Sequence, residues 1–202
     1  HGFPEFWYTW RHQISAFAHH FTVVAVDLRG YNDSDKPAAV SNYAMSELVK
    51  DIAELIPALG YETCYLVGHD WGGAIAWSTA YAHPDKITKL VILNCPHPQR
   101  FAEGLANPMQ WLRSAYIGFF QLPWLPELIL QANDYQFIET AFDNMAVNRS
   151  AISATDVQAF KTAIARPGAL QAGLNYYRNL FSSSFFQQAW PVLEVPTLMI
   201  WG

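Results

Sequence analysis

The sequence predicts an α/β fold: a mostly parallel sheet covered by helices, with a helical insertion. Three observations predict it. Short apolar runs rich in β-branched residues alternate with helix-period segments in the order β-α-β-α-β. Runs of that kind are strands buried on both faces, and this alternation builds a parallel, helix-covered sheet. From Pro96 to about Pro191 no buried strand is legible, only helix-like segments broken at Pro123, Pro126 and Pro167-Gly168, and strand character resumes over Val195 to Trp201.

The chain opens on His1-Gly2-Phe3-Pro4, read as a loop in which Pro4 biases Phe3 toward extended geometry and Gly2 permits close approach. Phe21 to Leu28, ending at the turn residues Arg29-Gly30, is expected to be the first strand. From Ser46 to Leu59, Leu48, Ile52, Leu55, Ile56 and Leu59 recur at helical steps. Ser46 is the expected N-cap and Gly60 the C-terminal stop, with the last turn kinked or frayed at Pro57. Tyr65-Leu66-Val67 reads as the second strand, Gly72 to His83 as a helix closed by Pro84, and Ile87 to Asn94 as the third strand. The expected division is a partial core over residues 1–98, a helical cap over 99–190 and a return to the sheet over 191–202. The insertion is rich in aromatics (Trp111, Tyr116, Phe119, Phe120, Trp124, Tyr135, Phe137, Tyr176 and Tyr177), most of them expected to form its core and some to line a pocket.

Composition narrows the function classes. With 202 residues, 51% apolar and 15% aromatic, the chain can pack a core, which excludes disorder. Twelve basic against 17 acidic residues give a net charge of -5, and the charges are scattered singly, so nucleic acid and anionic membranes are poor partners. No stretch reaches the roughly 18 apolar residues of a bilayer span, and the first residues lack an export signal. Cys64 and Cys95 form no CxxC, which fits a reducing compartment and two buried thiols. A cytoplasmic location is the expectation, an anchor upstream of His1 being left open, and no metal or cofactor is implied. The triplets Asn32-Asp33-Ser34 and Asn148-Arg149-Ser150 match glycosylation acceptors, a pattern that arises by chance. The chain starts without Met and stops inside a strand-like run, so both ends read as cuts in a longer protein.

Val67-Gly68-His69-Asp70-Trp71-Gly72-Gly73 joins a strand to a helix with glycines on both sides of Asp70. It has the form of a nucleophile elbow, whose central residue is strained at the carboxyl end of a strand and whose small neighbours let the helix pass close to the sheet. A plain strand-to-helix turn with a capping Asp would read the same. An oxyanion hole needs a second backbone N–H facing such an elbow, and the His1 to Pro4 loop could supply it through Phe3 beside that of Trp71.

With HGFPEFWYTWR, DLRGYNDSDKP and GHDWGG in that order, the chain resembles the epoxide hydrolases of the α/β-hydrolase superfamily. The resemblance spans essentially the whole chain; in the insertion it rests on Ala115 to Trp124, Pro167 to Leu170 and Asn175 to Asn179. It implies an α/β-hydrolase fold with an inserted helical cap, and Asp70 as nucleophile. A carboxylate with a reference pKa of about 3.9 is already charged at neutral pH and needs no base to attack an sp³ carbon. The product is an alkyl ester on Asp70, and the amides of Phe3 and Trp71 would stabilise the oxyanion formed when water attacks it, an effect of roughly 3 kcal/mol per donor. The resemblance places the two acids that protonate the opening epoxide oxygen at Tyr116 and Tyr177, with Tyr176 as the one-place alternative. It puts Phe3, Trp71, Tyr116 and Tyr177 around a hydrophobic epoxide. It implies a histidine–acid pair for ester hydrolysis beyond Gly202, so this polypeptide alone is expected to be alkylated but not to turn over.

The histidines in hand suit other roles. His12, His19, His20 and His83 read as surface residues on helices or their ends, His1 and His69 as structural, and His97 as a pocket-edge residue. Haloalkane dehalogenases are an alternative of the same fold. They need a second halide donor where Phe3 stands, and two cap tyrosines suit an alkoxide better than a halide. Fluoroacetate dehalogenases carry Arg where Trp71 stands. A non-catalytic ligand-binding protein of hydrolase fold is the remaining reading, opposed by the presence of Asp70, Tyr116 and Tyr177 together.

Overall fold

The computed structural model describes residues 1–104, 107, 110, 114–148, 151–180 and 190–202. Three parallel strands, β1 (Cys64–His69), β2 (Ile87–Leu93) and β3 (Thr197–Ile200), form a sheet in the order β1-β2-β3. The helices in chain order are α1 (Arg11–Phe17), α2 (Met45–Ala58), α3 (Trp71–Ala82), α4 (Pro98–Gly104), α5 (Ala115–Phe119), α6 (Leu125–Met145), α7 (Ala154–Ile164) and α8 (Ala169–Leu180).

The crossover from β1 to β2 runs through α3, whose first turn carries Gly72, Gly73 and Ala74. Small residues are required there. A Cβ on Gly73 would lie 2.5 Å from the Cys95 Cβ, and one on Gly72 would lie 2.6 Å from the His1 carbonyl oxygen. From Ile75 to Ala80 α3 is buried, and the hydroxyls there are satisfied within the helix: Ser78 donates to the Ala74 carbonyl and Thr79 to that of Ile75. Ile75 and Ala76 face opposite layers. Ala76 packs with Ile87, Leu90 and Ile92, whereas Ile75 packs with Leu28, Leu48, Ile52 and Tyr43.

Several expectations are corrected. Phe21 to Leu28 is not a strand among the described residues: no ladder pairs it with β1, and the Leu28 N–H donates 3.0 Å to His1 Nε2 rather than to a strand carbonyl. Nor is the run buried, Phe21 and Val24 being about half exposed and Leu28 alone buried; composition suggests a strand, but one exists only where a neighbour takes its hydrogen bonds. The N-cap of α2 is Ala44, not Ser46. Its backbone is extended and its carbonyl accepts from Glu47 and Leu48, so the helix enters two residues earlier. Pro57 does not fray the end, which closes as a Schellman motif: Gly60, at φ 84°, donates to the Pro57 carbonyl and Tyr61 to that of Ile56. Cys95 is buried, but Cys64 is only half-buried.

Between β2 and β3 the described elements are all helices, as the insertion predicts. Pro126 does not break a helix; it sits in the first turn of α6, where its missing N–H costs nothing. The break lies further on. Ala132 is extended and Asn133, Asp134 and Tyr135 are left-handed, dividing α6 into two helical stretches. Helix α7 starts on a capping box in which the Ser153 Oγ accepts from the Asp156 N–H and the Asp156 carboxylate accepts from the Ser153 N–H. The insertion's core is Ile117, Phe120, Leu130, Ile138, Phe160, Ile164, Leu174 and Tyr177, with Phe6 joining from the first loop. Phe3 and Trp71 pack against the same cluster, so the elbow lies where the sheet layer meets the inserted helices. Trp111, Arg149 and Ser150 lie outside the described residues. Among the described residues no helix is long and apolar enough to cross a membrane.

Candidate active site

Asp70 follows β1 directly and serves as the N-cap of α3 at φ 50°, ψ -121°. An L-residue held in that left-handed conformation is strained, as a nucleophile elbow requires. The surroundings impose it: a Cβ on Gly68 would meet the Gly73 Cα at 2.8 Å, so only glycines let the strand and helix meet this closely.

The first loop is fastened to the elbow. The Gly72 N–H donates to the His1 carbonyl at 2.9 Å. His1 is buried with both ring nitrogens occupied: Nε2 accepts from Leu28 at 3.0 Å, so Nδ1 carries the proton and donates to the Gly2 carbonyl at 3.0 Å. That fastening aims the Phe3 N–H at Asp70 Oδ1, 3.0 Å away. The Trp71 amide also acts on the Asp70 carboxyl, favouring its ionised form as the Phe3 amide does. Gly2 is glycine because a Cβ there would collide with the Asp70 side chain.

Burial pushes the Asp70 carboxyl above the usual carboxylate range; the Trp71 and Phe3 amides and the charge of His69 oppose that shift without cancelling it, and Glu5 adds to it. Desolvation also pushes the Tyr177 phenol well up, with further upward pushes from Asp70 and Tyr116 and a downward one from a hydrogen bond with the Trp71 side chain. Tyr116, 47% exposed, is pushed up to about 12 by desolvation and then by Asp70. Both phenols therefore stay protonated across the working range.

Tyr177 is buried among Trp71, Phe3, Phe120 and Tyr116, with ring centroids at 5.1, 5.7, 5.0 and 5.8 Å. Tyr176, one residue earlier on α8, also packs edge-on against Trp71, at 5.4 Å, but its hydroxyl is taken, donating 2.7 Å to the Arg29 carbonyl. Of the two, Tyr177 is the one that also packs against Phe3 and Tyr116, and Tyr176 ties α8 to the loop after residue 28. Gln121 supports the pair, its side-chain amide reaching the Ile117 carbonyl at 3.0 Å and the Tyr177 carbonyl at 2.9 Å.

One member was not anticipated. Glu5 Oε2 lies 3.1 Å from His69 Nδ1 and accepts from the Gly2 N–H at 3.2 Å. Its string, HGFPE, gave it no role, although the Glu5 N–H bond to the Gly2 carbonyl closes a turn of that spacing. The aromatic rings of Phe120 and Phe137 also reach Phe3, at centroid distances of 5.9 and 6.1 Å. His97 sits away from Asp70 in a cluster with Trp77, Tyr81 and Trp190, its Nδ1 accepting from Gln99. A hollow beside α2 lined by Arg29, Lys36, Asp51 and Ile52 contains none of the elbow residues. Asn32 is buried and bonded to Asp27 and Arg166, which leaves no free amide for a glycan. Among the described residues no group of three His, Cys, Asp or Glu side chains could hold a metal.

A strained strand-to-helix elbow, amides aimed at its acid and an inserted helical layer above define a class. The chain belongs to the α/β hydrolase fold family, whose model matches residues 1–202. Several of its relatives within that family are named epoxide hydrolases. It is 42% identical over 207 residues to epoxide hydrolase 4 of Homo sapiens, all of this chain matching 57% of that protein, and 42% identical over 205 residues to the AB hydrolase superfamily protein YfhM of Bacillus subtilis, 71% of which is covered. The solved structure of a Bacillus megaterium epoxide hydrolase with an inhibitor superimposes with a TM-score of 0.88 at 36% identity, over 100% of this chain and 73% of that one. The chain thus spans a little over half the length of the human relative.

Proposed function

We propose that this chain carries the epoxide-opening machinery of an epoxide hydrolase acting on a hydrophobic epoxide. The observation that carries the reading is the 3.0 Å hydrogen bond from the Phe3 amide to Asp70 in a strained elbow whose Trp71 ring packs on Tyr177, with Tyr116 against Tyr177 in turn. On this reading Asp70 attacks an epoxide carbon, Tyr177 and Tyr116 hydrogen-bond the epoxide oxygen, and one of them gives it a proton as the C–O bond breaks. An alkyl ester on Asp70 results. Water, giving its proton to the histidine–acid pair that the family resemblance implies, then attacks the ester carbonyl, and the negative charge on the Asp70 oxygen falls to the two amides. On collapse the carboxyl proton passes to the leaving alkoxide, the diol departs with Asp70 again ionised, and the proton held by the base returns to the tyrosinate. The proposed substrate is apolar because Phe3, Trp71, Phe120 and Phe137 surround the phenols. We assign Asp70, Tyr177 and Tyr116 as catalytic, Phe3 and Trp71 as oxyanion donors, residues 99–190 as the cap, and a cytoplasmic location.

The halide-releasing alternative fits less well. A halide needs a second donor beside the Trp71 indole, and Phe3 presents an apolar ring packed on Tyr177 instead. Styrene oxide and a bromoalkane, offered separately while intact mass, diol and bromide are followed, test the assignment. Ester or diol from the epoxide alone supports it; bromide without either overturns it.

A further inference from the structure

The reaction scheme leaves one pair of charges beside Asp70 unused. We propose that Glu5 and His69 are positioning residues for the nucleophile: their ion pair straps the loop carrying the Phe3 amide to the end of the strand carrying Asp70, and keeps a cation next to that carboxylate. The proposal rests on Asp70 being the nucleophile, but its first test does not.

The geometry is specific. One carboxylate oxygen of Glu5 serves both sides of the junction, accepting the Gly2 N–H from its own loop and meeting His69 Nδ1 from the elbow. Gly2 and His69 are the immediate neighbours of Phe3 and Asp70, the two residues whose 3.0 Å hydrogen bond the site depends on. The side chains of Glu5 and His69 are 13% and 28% exposed, so water screens the pair poorly. A carboxylate and imidazole bonded to each other in such a place share a proton on the imidazole. Burial opposes charge on both, yet their bond and mutual attraction hold the Glu5 carboxyl below its usual range and raise the His69 ring above its own.

The consequence for Asp70 has a definite sign. His69 favours its ionised form and Glu5 disfavours it, the His69 effect being the larger. Removing both charges therefore pushes Asp70 upward. The other ionisable groups acting on these three are Tyr177 and Tyr116 from the inserted helices, Tyr31 from the loop after residue 28, Cys95 beyond β2 and the His1 amino group. The phenols and the thiol are all raised by burial and uncharged near neutrality, so the ion pair is what tunes the acid there.

Glu5→Gln keeps an acceptor for the Gly2 N–H and deletes the charge. Carboxyl-carbon NMR of labelled aspartate, titrated against pH in wild type and Glu5→Gln, reads Asp70 without any substrate. The proposal expects the His69 ring to titrate lower in Glu5→Gln, Glu5→Asp to restore part of that shift, and the Asp70 midpoint to rise in His69→Gln, where the cation goes and Glu5 stays. Unchanged His69 and Asp70 midpoints in variants with wild-type circular dichroism overturn it. Should Glu5→Gln lose that spectrum, His69→Gln must still raise Asp70. The pH dependence of Asp70 ester formation from styrene oxide then gives the functional readout. A wild-type protein that forms no ester contradicts the proposed function alone; a wild type that does, with an identical profile in Glu5→Gln, contradicts the positioning role alone.

Discussion

Asp70 is strained, half-buried and held by the Phe3 amide, and each property has a consequence that can be measured. Because its carboxyl lies above the usual range, ester formation, which needs the anion, should fall as pH drops through that raised value. It should stay level from neutrality to about pH 10, since the phenols remain protonated there, Tyr116 up to about 12. A stopped-flow or mass-resolved rate profile checks both limbs, and an alkaline decline near pH 8 would remove the phenols as acids. Tyr177→Phe deletes the hydroxyl facing Trp71 while keeping the ring among Phe3, Phe120 and Tyr116. It should slow epoxide opening by about 10²-fold or more, and Tyr116→Phe should do the same. Tyr176→Phe, which breaks only the bond to the Arg29 carbonyl, should leave the opening step nearly unchanged and lower stability by about 1 kcal/mol in urea unfolding.

Elements show what the sequence makes legible. The elbow was readable because its signal is local, but glycines on either side of one acid fit a plain turn as well, and only the HGFPEFWYTWR and DLRGYNDSDKP strings beside it decided between the two. Helix α8 was readable as a helix, but whether Tyr176 or Tyr177 faces the elbow is a rotation of one residue about its axis, set by what α8 packs on. The segment before Arg29 looks like a strand by composition, yet pairing is a property of two segments, and His1 takes the bond Leu28 would give a neighbour. Glu5 escaped notice for the same reason, since its partner His69 is 64 residues away. The break in α6 left a faint local sign in Asn133 and Asp134, residue types that tolerate left-handed backbone. At this scale the α7 capping box is the clearest test. Asp156 accepts from Ser153, from Tyr8 at 3.0 Å and from Arg11 at 3.1 Å, and these partners outweigh the cost of burial to hold it at about 2. Ser153→Ala should cost about 1 kcal/mol, and a smaller loss than Ser→Ala gives on an exposed loop would show that the box does not anchor the helix.

The whole molecule places two packed layers on either side of the elbow and leaves part of its sheet open. Ile138 and Leu174 are fully buried in the inserted layer and Ile92 in the sheet layer, whereas Tyr65, Val67, Leu198 and Ile200 are about half exposed. Unpaired edges with apolar faces associate. Sedimentation should therefore show the chain self-associating as its concentration rises, and Leu198→Lys should shift that equilibrium toward monomer; a chain monomeric at every concentration would contradict this. Between the layers, Phe3 and Trp71 touch both the elbow and Tyr177, so the account rests finally on what Asp70 does when an epoxide enters there. Peptide mapping after exposure to styrene oxide in heavy-oxygen water tests it most directly. The account predicts one substrate mass esterified to Asp70, none on Asp70→Asn, and no solvent oxygen in that ester. An unmodified Asp70 with labelled diol from the first turnover would contradict it.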